Sequence, residues 1–310
     1  MSFDKNKFLR QHIYLNWLRP ENILYEFHSN LILLETLKKI PKKSSKINLG
    51  VGNGINSFLA QGGEFNQEFD WYVNNHLRNK KSKDIYNQFN SGLSKKIVKK
   101  KNTIKFDTVI DNKKNLLKLS KFLGISNEYF QKDLNKKIIL NKKYNFIYSN
   151  MLYWLDDINL KIKEIKKFLE KDGYFLLGIL NKNILKNSIV NEFNKKSKIY
   201  NYLNNGRYEC YKQILDEEAF EKQLEKEFVV IEKRQILKKF TNKCWDIGLR
   251  PFSVELIKMA NHLNKNKRFE IKKNWCEKLY PVINELSYQE LDQKNSTGAV
   301  TFYFLKNKEN

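Results

Sequence analysis

The chain has 310 residues, enough for one large domain or two smaller ones, and 41% of them are hydrophobic, which excludes a chain disordered by composition. No apolar run approaches the roughly 20 residues of a membrane-spanning helix, and the first residues lack a secretory signal, so a soluble cytoplasmic protein without a membrane partner is expected. The net charge of +24 comes from lysines spread along the chain, which favours a solvated basic surface over a dedicated nucleic-acid groove.

Cysteine and histidine residues form no recognisable metal or disulfide pattern. They are Cys210, Cys244, Cys276, His12, His28, His76 and His262. The cysteines are far apart and odd in number, and no two histidines have the spacing of a zinc site. Neither a disulfide framework nor a bound metal is therefore expected.

The first predicted elements are a helix, a short strand and a glycine turn. Apolar residues at helical spacing predict an amphipathic helix at 21–39. Residues 46–54 read KINLGVGNG, a short strand that runs into Gly50, Gly52 and Gly54. Glycines at alternate positions let the backbone turn sharply and bring its N–H groups close to a nucleotide. A plain loop is the alternative, because the spacing alone is weak evidence.

An aromatic-rich insertion follows at about 62–103, where the sequence has no helical or strand period. Trp71 and Tyr72 are predicted to line a substrate pocket. The alternative is that the aromatic residues of the insertion bury their rings to fix it to the body of the protein. His76 is a candidate general base, with an ordinary surface histidine as the alternative.

A carboxylate ends the second predicted strand. Residues 104–110 read IKFDTVI, and Asp111 follows them just before a helix predicted at 115–123. In a dinucleotide-type sheet, an acid at this place lies beside the glycine turn and accepts hydrogen bonds from ribose hydroxyls. The alternative is that Asp111 caps the following helix. The usual pattern places the acid about 20 residues after the turn, so the insertion must account for the longer separation.

Strands and helices alternate through the next part of the chain. Strands are predicted at 137–140, 144–149 and 174–180, with a helix at 158–169. This alternation is typical of a parallel, doubly wound α/β sheet.

The order of these motifs resembles the class I S-adenosylmethionine-dependent methyltransferases. The resemblance extends over about 21–240 and rests on four segments: KINLGVGNG (46–54), TVID (108–111), FIYSNMLYWLDD (146–157) and FLEKDGYFLLGIL (168–180). It implies a Rossmann-like, mostly parallel sheet with an antiparallel last strand. It also implies S-adenosyl-L-methionine as the cofactor.

The resemblance further implies roles for individual residues. The glycine turn and Asn48 before it would contact the cofactor, Asp111 would hold its ribose, and Asp133 is the nearest match to an adenine-binding residue. Asn48 departs from the family pattern, because an acid usually stands there and an asparagine offers no negative charge to a cationic cofactor. The exit of the fourth strand would face the reaction, with Ser149 and Asn150 near the cofactor and Tyr153 and Trp154 near the acceptor.

The rest of the chain predicts the end of the sheet and an inserted pair of helices. GAVTFYFLKN (298–307) alternates as a strand and is expected to be the antiparallel last one. Before it, 253–288 predicts two helices that cover the acceptor, form a dimer contact or add core packing. Arg250, beside Trp245, is a candidate for binding a carboxylate or phosphate on the acceptor. The predicted division is an N-terminal helical segment at 1–45, the core at 46–240, and the helical insertion with the final strand at 241–310.

These features predict an enzyme that transfers a methyl group from S-adenosyl-L-methionine to an oxygen or nitrogen of a small molecule by in-line displacement. No catalytic base is assigned, because positioning alone supplies much of such a rate; His76 and Tyr153 are the candidates. One alternative is a methyltransferase that acts on RNA or protein through the basic surface. The other is a nicotinamide-dependent oxidoreductase, although Ser57 stands where the third glycine of its motif is expected.

Overall fold

The strands of the chain form one large sheet and one small one. A computed structural model describes residues 3–72, 97–204, 211–292 and 296–308. The strands in these ranges are β1 (Lys46–Leu49), β2 (Glu64–Phe65), β3 (Val98–Lys100), β4 (Phe106–Asp111), β5 (Ser126–Gln131), β6 (Tyr144–Ser149), β7 (Leu169–Leu180), β8 (Phe228–Lys238) and β9 (Gly298–Asn307). Seven of them form one sheet in the order β5-β4-β1-β6-β7-β9-β8, and β2 pairs with β3 separately.

Helices surround the sheet, and several begin at the capping residues that the sequence provides. They are α1 (Lys5–Leu15), α2 (Glu21–Lys39), α3 (Ile55–Ala60), α4 (Lys114–Leu123), α5 (Ile158–Lys166), α6 (Asn183–Lys186), α7 (Lys198–Asn204), α8 (Glu217–Glu227), α9 (Lys239–Cys244), α10 (Phe252–Asn261) and α11 (Lys265–Asp292). Asp157 and Asp216 accept backbone N–H groups at the starts of α5 and α8, as helix caps do. Among the described residues, no helix has the length and apolarity needed to cross a membrane.

The topology confirms the predicted fold class. β1 lies in parallel between β4 and β6, so the chain leaves β1 toward one edge of the sheet and later returns to its other side. β9 is antiparallel to both β7 and β8, as expected of the last strand. In such an open α/β sheet, ligands bind beyond the carboxyl ends of the strands at the point where the strand order reverses. That point lies at the ends of β1, β4 and β6.

Both faces of the sheet are covered, by different sets of helices. One buried cluster joins the sheet to α1, α2, α3, α4 and α11. The other joins the opposite face to α5 and α8. Short, fully buried strands such as β1 are typical of a parallel sheet covered on both sides.

The predicted helical pair is present as α10 and α11, and α11 packs on the N-terminal helices. Trp275 Nε1 donates to the carbonyl oxygen of Trp17 at 2.9 Å. The same helix holds the start of the insertion, since Lys272 Nζ donates to the Phe69 carbonyl at 2.5 Å and Arg268 Nε pairs with Asp70 Oδ2 at 2.9 Å. Helix α11 therefore joins the N-terminal helices to the insertion.

The prediction of a strand at 137–140 is wrong. The strand that follows β4 in the chain is β5, which pairs with β4 at the edge of the sheet and exposes most of its side chains. Such an edge strand lacks the apolar pattern that would identify it. The apolar residues at 137–140 belong to irregular chain, where Ile138 is buried and its N–H donates to Glu164 Oε1.

Candidate active site

The glycine turn leaves the end of β1 in a left-handed conformation. Gly50, Gly52 and Gly54 have φ angles of 78°, 59° and 75°, which side chains other than glycine rarely adopt. The N–H of Gly50 donates to the Ile110 carbonyl at 2.8 Å, which ties the turn to β4. Gly54 then begins α3. The turn therefore has the conformation that the sequence predicted.

The three glycines have different surroundings. A Cβ atom at Gly50 would lie 2.0 Å from Met151 Cγ, and one at Gly54 would lie 2.7 Å from Ser120 Oγ. At Gly52 a Cβ atom would meet nothing within 4 Å. Gly52 thus presents bare backbone to open space at the tip of the turn, where a ligand can approach it closely.

Asp111 joins the end of β4 to the glycine turn. Its Oδ2 accepts the Gly52 N–H at 2.7 Å, and its Oδ1 accepts the Lys113 N–H at 2.9 Å. The Lys113 N–H lies outside α4, so this contact is a local turn and does not cap the helix as the alternative required. An ionised carboxylate has about four lone-pair sites, which leaves Asp111 able to accept further hydrogen bonds.

Three other residues implied by the resemblance lie at or beyond the ends of strands of the sheet. Asn48 is buried and donates through Nδ2 to Ser57 Oγ at 2.8 Å. Ser149 is also buried, and its hydroxyl donates to the Leu49 carbonyl at 2.9 Å, so both side chains hold the strand ends together. Asp133 lies two residues beyond β5, in a turn where its Oδ1 accepts the Asn135 N–H. The cofactor contacts of these residues stay predictions.

A cluster of phenols meets the exit of β6. Asn150 Nδ2 donates to the Tyr25 hydroxyl at 2.9 Å, while Asn150 Oδ1 is buried without a hydrogen-bond partner in the described part of the chain. Tyr25 also lies close enough to Tyr153 to raise the pKa of that phenol. The Tyr153 ring lies 5.7 Å from that of Trp154 and 6.1 Å from that of Tyr211, measured between centroids. The predicted residues Asn150, Tyr153 and Trp154 are therefore neighbours.

Burial sets the protonation of this cluster. It raises the pKa of Tyr153 well above its ordinary value, and the neighbouring Tyr25 raises it further. Burial raises the pKa values of Tyr25 and Tyr148 as well. These phenols stay protonated at neutral pH and serve as neutral hydrogen-bonding groups. Tyr153 is thereby disfavoured as a general base.

The remaining predicted residues have distinct locations. Trp71 and Tyr72 are buried, with ring centroids 4.4 Å apart, and Trp71 Nε1 donates to the Leu15 carbonyl at the end of α1. Arg250 donates to the carbonyl oxygens of Leu203 and Asn204 at the end of α7, which gives its guanidinium a structural role. That it also binds a carboxylate or phosphate of the acceptor stays a prediction. His76 lies outside the described residues.

The sequence analysis missed the contribution of α2 to this site. The Tyr25 hydroxyl of α2 accepts a hydrogen bond from Asn150, and Glu26 accepts one from Asn16. Asn22, Tyr25, Glu26 and Ser29 follow helical spacing and form a polar stripe on a helix that is otherwise mostly buried. That stripe was the available signal, but a polar stripe on an amphipathic helix is ordinarily solvated.

Comparisons with known proteins concern the fold. No protein-family model matches the chain, and no curated protein matches it. Similar solved structures include a SAM-dependent methyltransferase, possible histamine N-methyltransferase, from Thermotoga maritima, with 12% identity, 93% of each chain covered and a TM-score of 0.44. Another is a SAM-dependent methyltransferase from Geobacter sulfurreducens in complex with S-adenosyl-L-homocysteine, with 11% identity, coverage of 89% of this chain and 91% of that one, and a TM-score of 0.47. At these values the likeness is one of fold alone.

Proposed function

We propose that the chain is an S-adenosylmethionine-dependent methyltransferase that acts on an oxygen or nitrogen of a small molecule. The observation that carries the proposal is the hydrogen bond from the Gly52 N–H to Asp111 Oδ2. It links the left-handed glycine turn after β1 to the carboxylate at the end of β4, at the point where the strand order reverses. This is the arrangement that the sequence resemblance leads one to expect.

The described residues fit such a cofactor. The backbone at Gly52 is open to a close approach, and the Asp111 carboxylate keeps lone pairs for two ribose hydroxyls. Asp133, just beyond β5, is the proposed partner of the adenine. When bound, the cofactor supplies a sulfonium methyl group for transfer. Asn48 adds no charge to this site, so the proposed carboxylates of the cofactor site are Asp111 and Asp133.

The acceptor is proposed to lie at the exit of β6. Tyr153 and Trp154 adjoin this exit, and Trp71 and Tyr72, at the start of the insertion, are proposed to form a further wall of the acceptor site. Aromatic walls of this kind bind and orient small molecules. Holding the acceptor in line with the methyl group supplies several kcal/mol of the rate enhancement, so the proposal needs no phenolate base.

The test is calorimetric titration of S-adenosylhomocysteine into the Asp111→Asn variant. Losing the charged acceptor of the ribose hydroxyls is expected to weaken binding at least tenfold, because hydrogen bonds to charged groups contribute about 1.5–3 kcal/mol. Asp172→Asn is the matched control, since that exposed carboxylate pairs with Lys306 away from the site. Thermal unfolding of both variants checks that they fold.

Two outcomes would contradict the proposal. The first is a wild-type chain that binds neither S-adenosylmethionine nor its demethylated product at millimolar concentration. The second is binding of NAD in their place, which would favour the oxidoreductase alternative. If S-adenosylhomocysteine binds the wild type and the Asp111→Asn variant equally, the methyltransferase proposal stands and the ribose role of Asp111 is wrong.

A further inference from the structure

Among the described residues, Glu26 is a carboxylate without an ion-pair partner, although the chain contains 58 lysine and arginine residues. Its Oε2 accepts a hydrogen bond from Asn16 Nδ2 at 2.8 Å. Its Oε1 has no hydrogen-bond partner, and neither oxygen forms an ion pair, within the described ranges. Glu26 is half-buried, and burial is the largest cause of its raised pKa, so a positively charged partner would stabilise its ionised form.

Aromatic side chains lie on both sides of this carboxylate. Toward the insertion, the Tyr72 hydroxyl is 3.5 Å from Asn16 Oδ1, so the amide that bonds Glu26 also contacts Tyr72. Toward the sheet, the adjacent Tyr25 accepts a hydrogen bond from Asn150 and lies beside Tyr153. Glu26 therefore stands between the Trp71 and Tyr72 pair and the phenols at the exit of β6.

Glu26 and Tyr25 keep part of their surface accessible. Both side chains are half-buried, and burial is the largest cause of the raised pKa of each. A ligand can therefore reach both side chains in surroundings that are poor in water. Ser29, one turn further along α2, is buried with its hydroxyl unpaired in the described part of the chain, which adds a polar group to the same stripe.

The electrostatics of Glu26 favour a positive ligand. Burial raises its pKa to about 7, while the Asn16 hydrogen bond and the charge of Arg19 lower it and the charge of Glu21 raises it. Arg19 is itself paired with Glu21, at 2.9 Å. A ligand cation would supply the missing partner of the carboxylate, and the faces of tyrosine and tryptophan rings attract cations.

We infer that Glu26 is the ammonium-binding carboxylate of the acceptor site, and that the acceptor is an amine carrying a positive charge in solution. Glu26 Oε1 accepts a hydrogen bond from the ammonium group, and the aromatic residues on either side enclose its carbon substituents. The carboxylate of Glu26 also takes up the proton that this nitrogen loses, which frees the lone pair that attacks the sulfonium methyl group as the bond from that methyl to sulfur breaks. This inference rests on the proposed function and narrows its acceptors from oxygen or nitrogen to a basic nitrogen.

The test compares isosteric probes by calorimetry without the cofactor. The probes are phenethylamine, butylamine and agmatine, with 2-phenylethanol and butanol as neutral counterparts. At pH 8 at least one amine is expected to bind the wild type at least tenfold more tightly than its alcohol, because a charge-assisted hydrogen bond is roughly twice as strong as a neutral one. Glu26→Gln is expected to remove that preference and leave the affinity for S-adenosylhomocysteine unchanged.

Two control variants separate charge from structure. Glu35→Gln makes the same chemical change on the same helix, at an exposed residue that pairs with Arg234, and is expected to keep the preference for the amine. Glu26→Asp keeps the charge and is expected to retain part of the preference even where Glu26→Gln folds poorly. In the wild type, amine affinity should fall about tenfold per pH unit below pH 7, because the carboxylate then becomes protonated.

Failure of all three amines to bind at millimolar concentration overturns the inference. An undiminished preference for the amine in Glu26→Gln does the same. If S-adenosylhomocysteine binds while the amines do not, the inference falls and the methyltransferase proposal stands. If the amines bind and S-adenosylhomocysteine does not, the methyltransferase proposal falls.

Discussion

At the scale of single residues, Gly50 and Gly52 have similar backbone conformations and different surroundings. Both have positive φ, so an alanine at either position incurs the cost of about 1–2 kcal/mol of a left-handed residue. At Gly50 the added methyl group would also meet Met151, and such overpacking costs about 1–3 kcal/mol more. In urea unfolding, the Gly50→Ala variant is expected to be less stable than the Gly52→Ala variant by this further cost of about 1–3 kcal/mol.

Gly124 provides the matched control for Gly52. It has a φ of 64° and no atom within 4 Å of its added Cβ, but it lies at the end of α4 away from the turn. Gly52→Ala and Gly124→Ala should lose similar stability, while only Gly52→Ala should weaken S-adenosylhomocysteine binding. Equal affinities in the two variants would show that the ligand does not approach Gly52 closely.

At the scale of elements, two buried histidines join the helices that cover the site. His12 on α1 contacts Asn30 on α2 at 3.3 Å, and His28 on α2 lies 3.5 Å from Ser287 on α11. Burial lowers the pKa of both histidines to about 3. A smaller electrostatic contribution comes from His28 at His12, and from Lys5 and Lys238 at His28. Both rings are therefore neutral in the folded chain.

This burial predicts acid sensitivity in the packing of α1, α2 and α11. In the unfolded chain a histidine titrates near pH 6.5, so its contribution to stability is complete above that pH and is lost as the pH falls toward about 3. From pH 7.5 to 5.5 the loss is about 1.4 kcal/mol per histidine. Urea unfolding of the wild type and of the double variant His12→Gln, His28→Gln should give curves of stability against pH that diverge by about 2.8 kcal/mol over this range, and parallel curves would contradict the prediction.

How far the sequence predicts the structure differs between elements. The boundaries of α2, α4 and β6 follow from apolar spacing and from closing residues such as Gly124, because these signals are local. β5 could not be located, since an exposed edge strand has no apolar alternation. The role of Glu26 was equally hidden, because its polar stripe looks solvated until α1 and the insertion are packed against it.

At the scale of the whole molecule, the net charge of +24 allows the small-molecule proposal to be distinguished from the RNA alternative by the salt dependence of binding. Part of the lysine surface is already neutralised by acidic neighbours: Lys233 contacts Glu217 at 2.8 Å and Glu221 at 2.6 Å, and Lys39 contacts Glu232 at 2.7 Å. Such pairs leave fewer charges for phosphates. Contacts from the remaining lysines would release counterions from any RNA and so depend steeply on salt.

RNA binding is therefore expected to be non-specific and to be lost between 50 and 200 mM salt, by about 10³–10⁵ in affinity if six to ten phosphates are contacted. The binding of S-adenosylhomocysteine, for which we propose contacts with Asp111 and backbone groups, should change little over the same range. Fluorescence anisotropy with a labelled RNA, beside calorimetry of the cofactor product, measures both. An RNA that stays bound at 200 mM salt and accepts a labelled methyl group would replace the small-molecule proposal, because salt-resistant binding requires contacts beyond the phosphates.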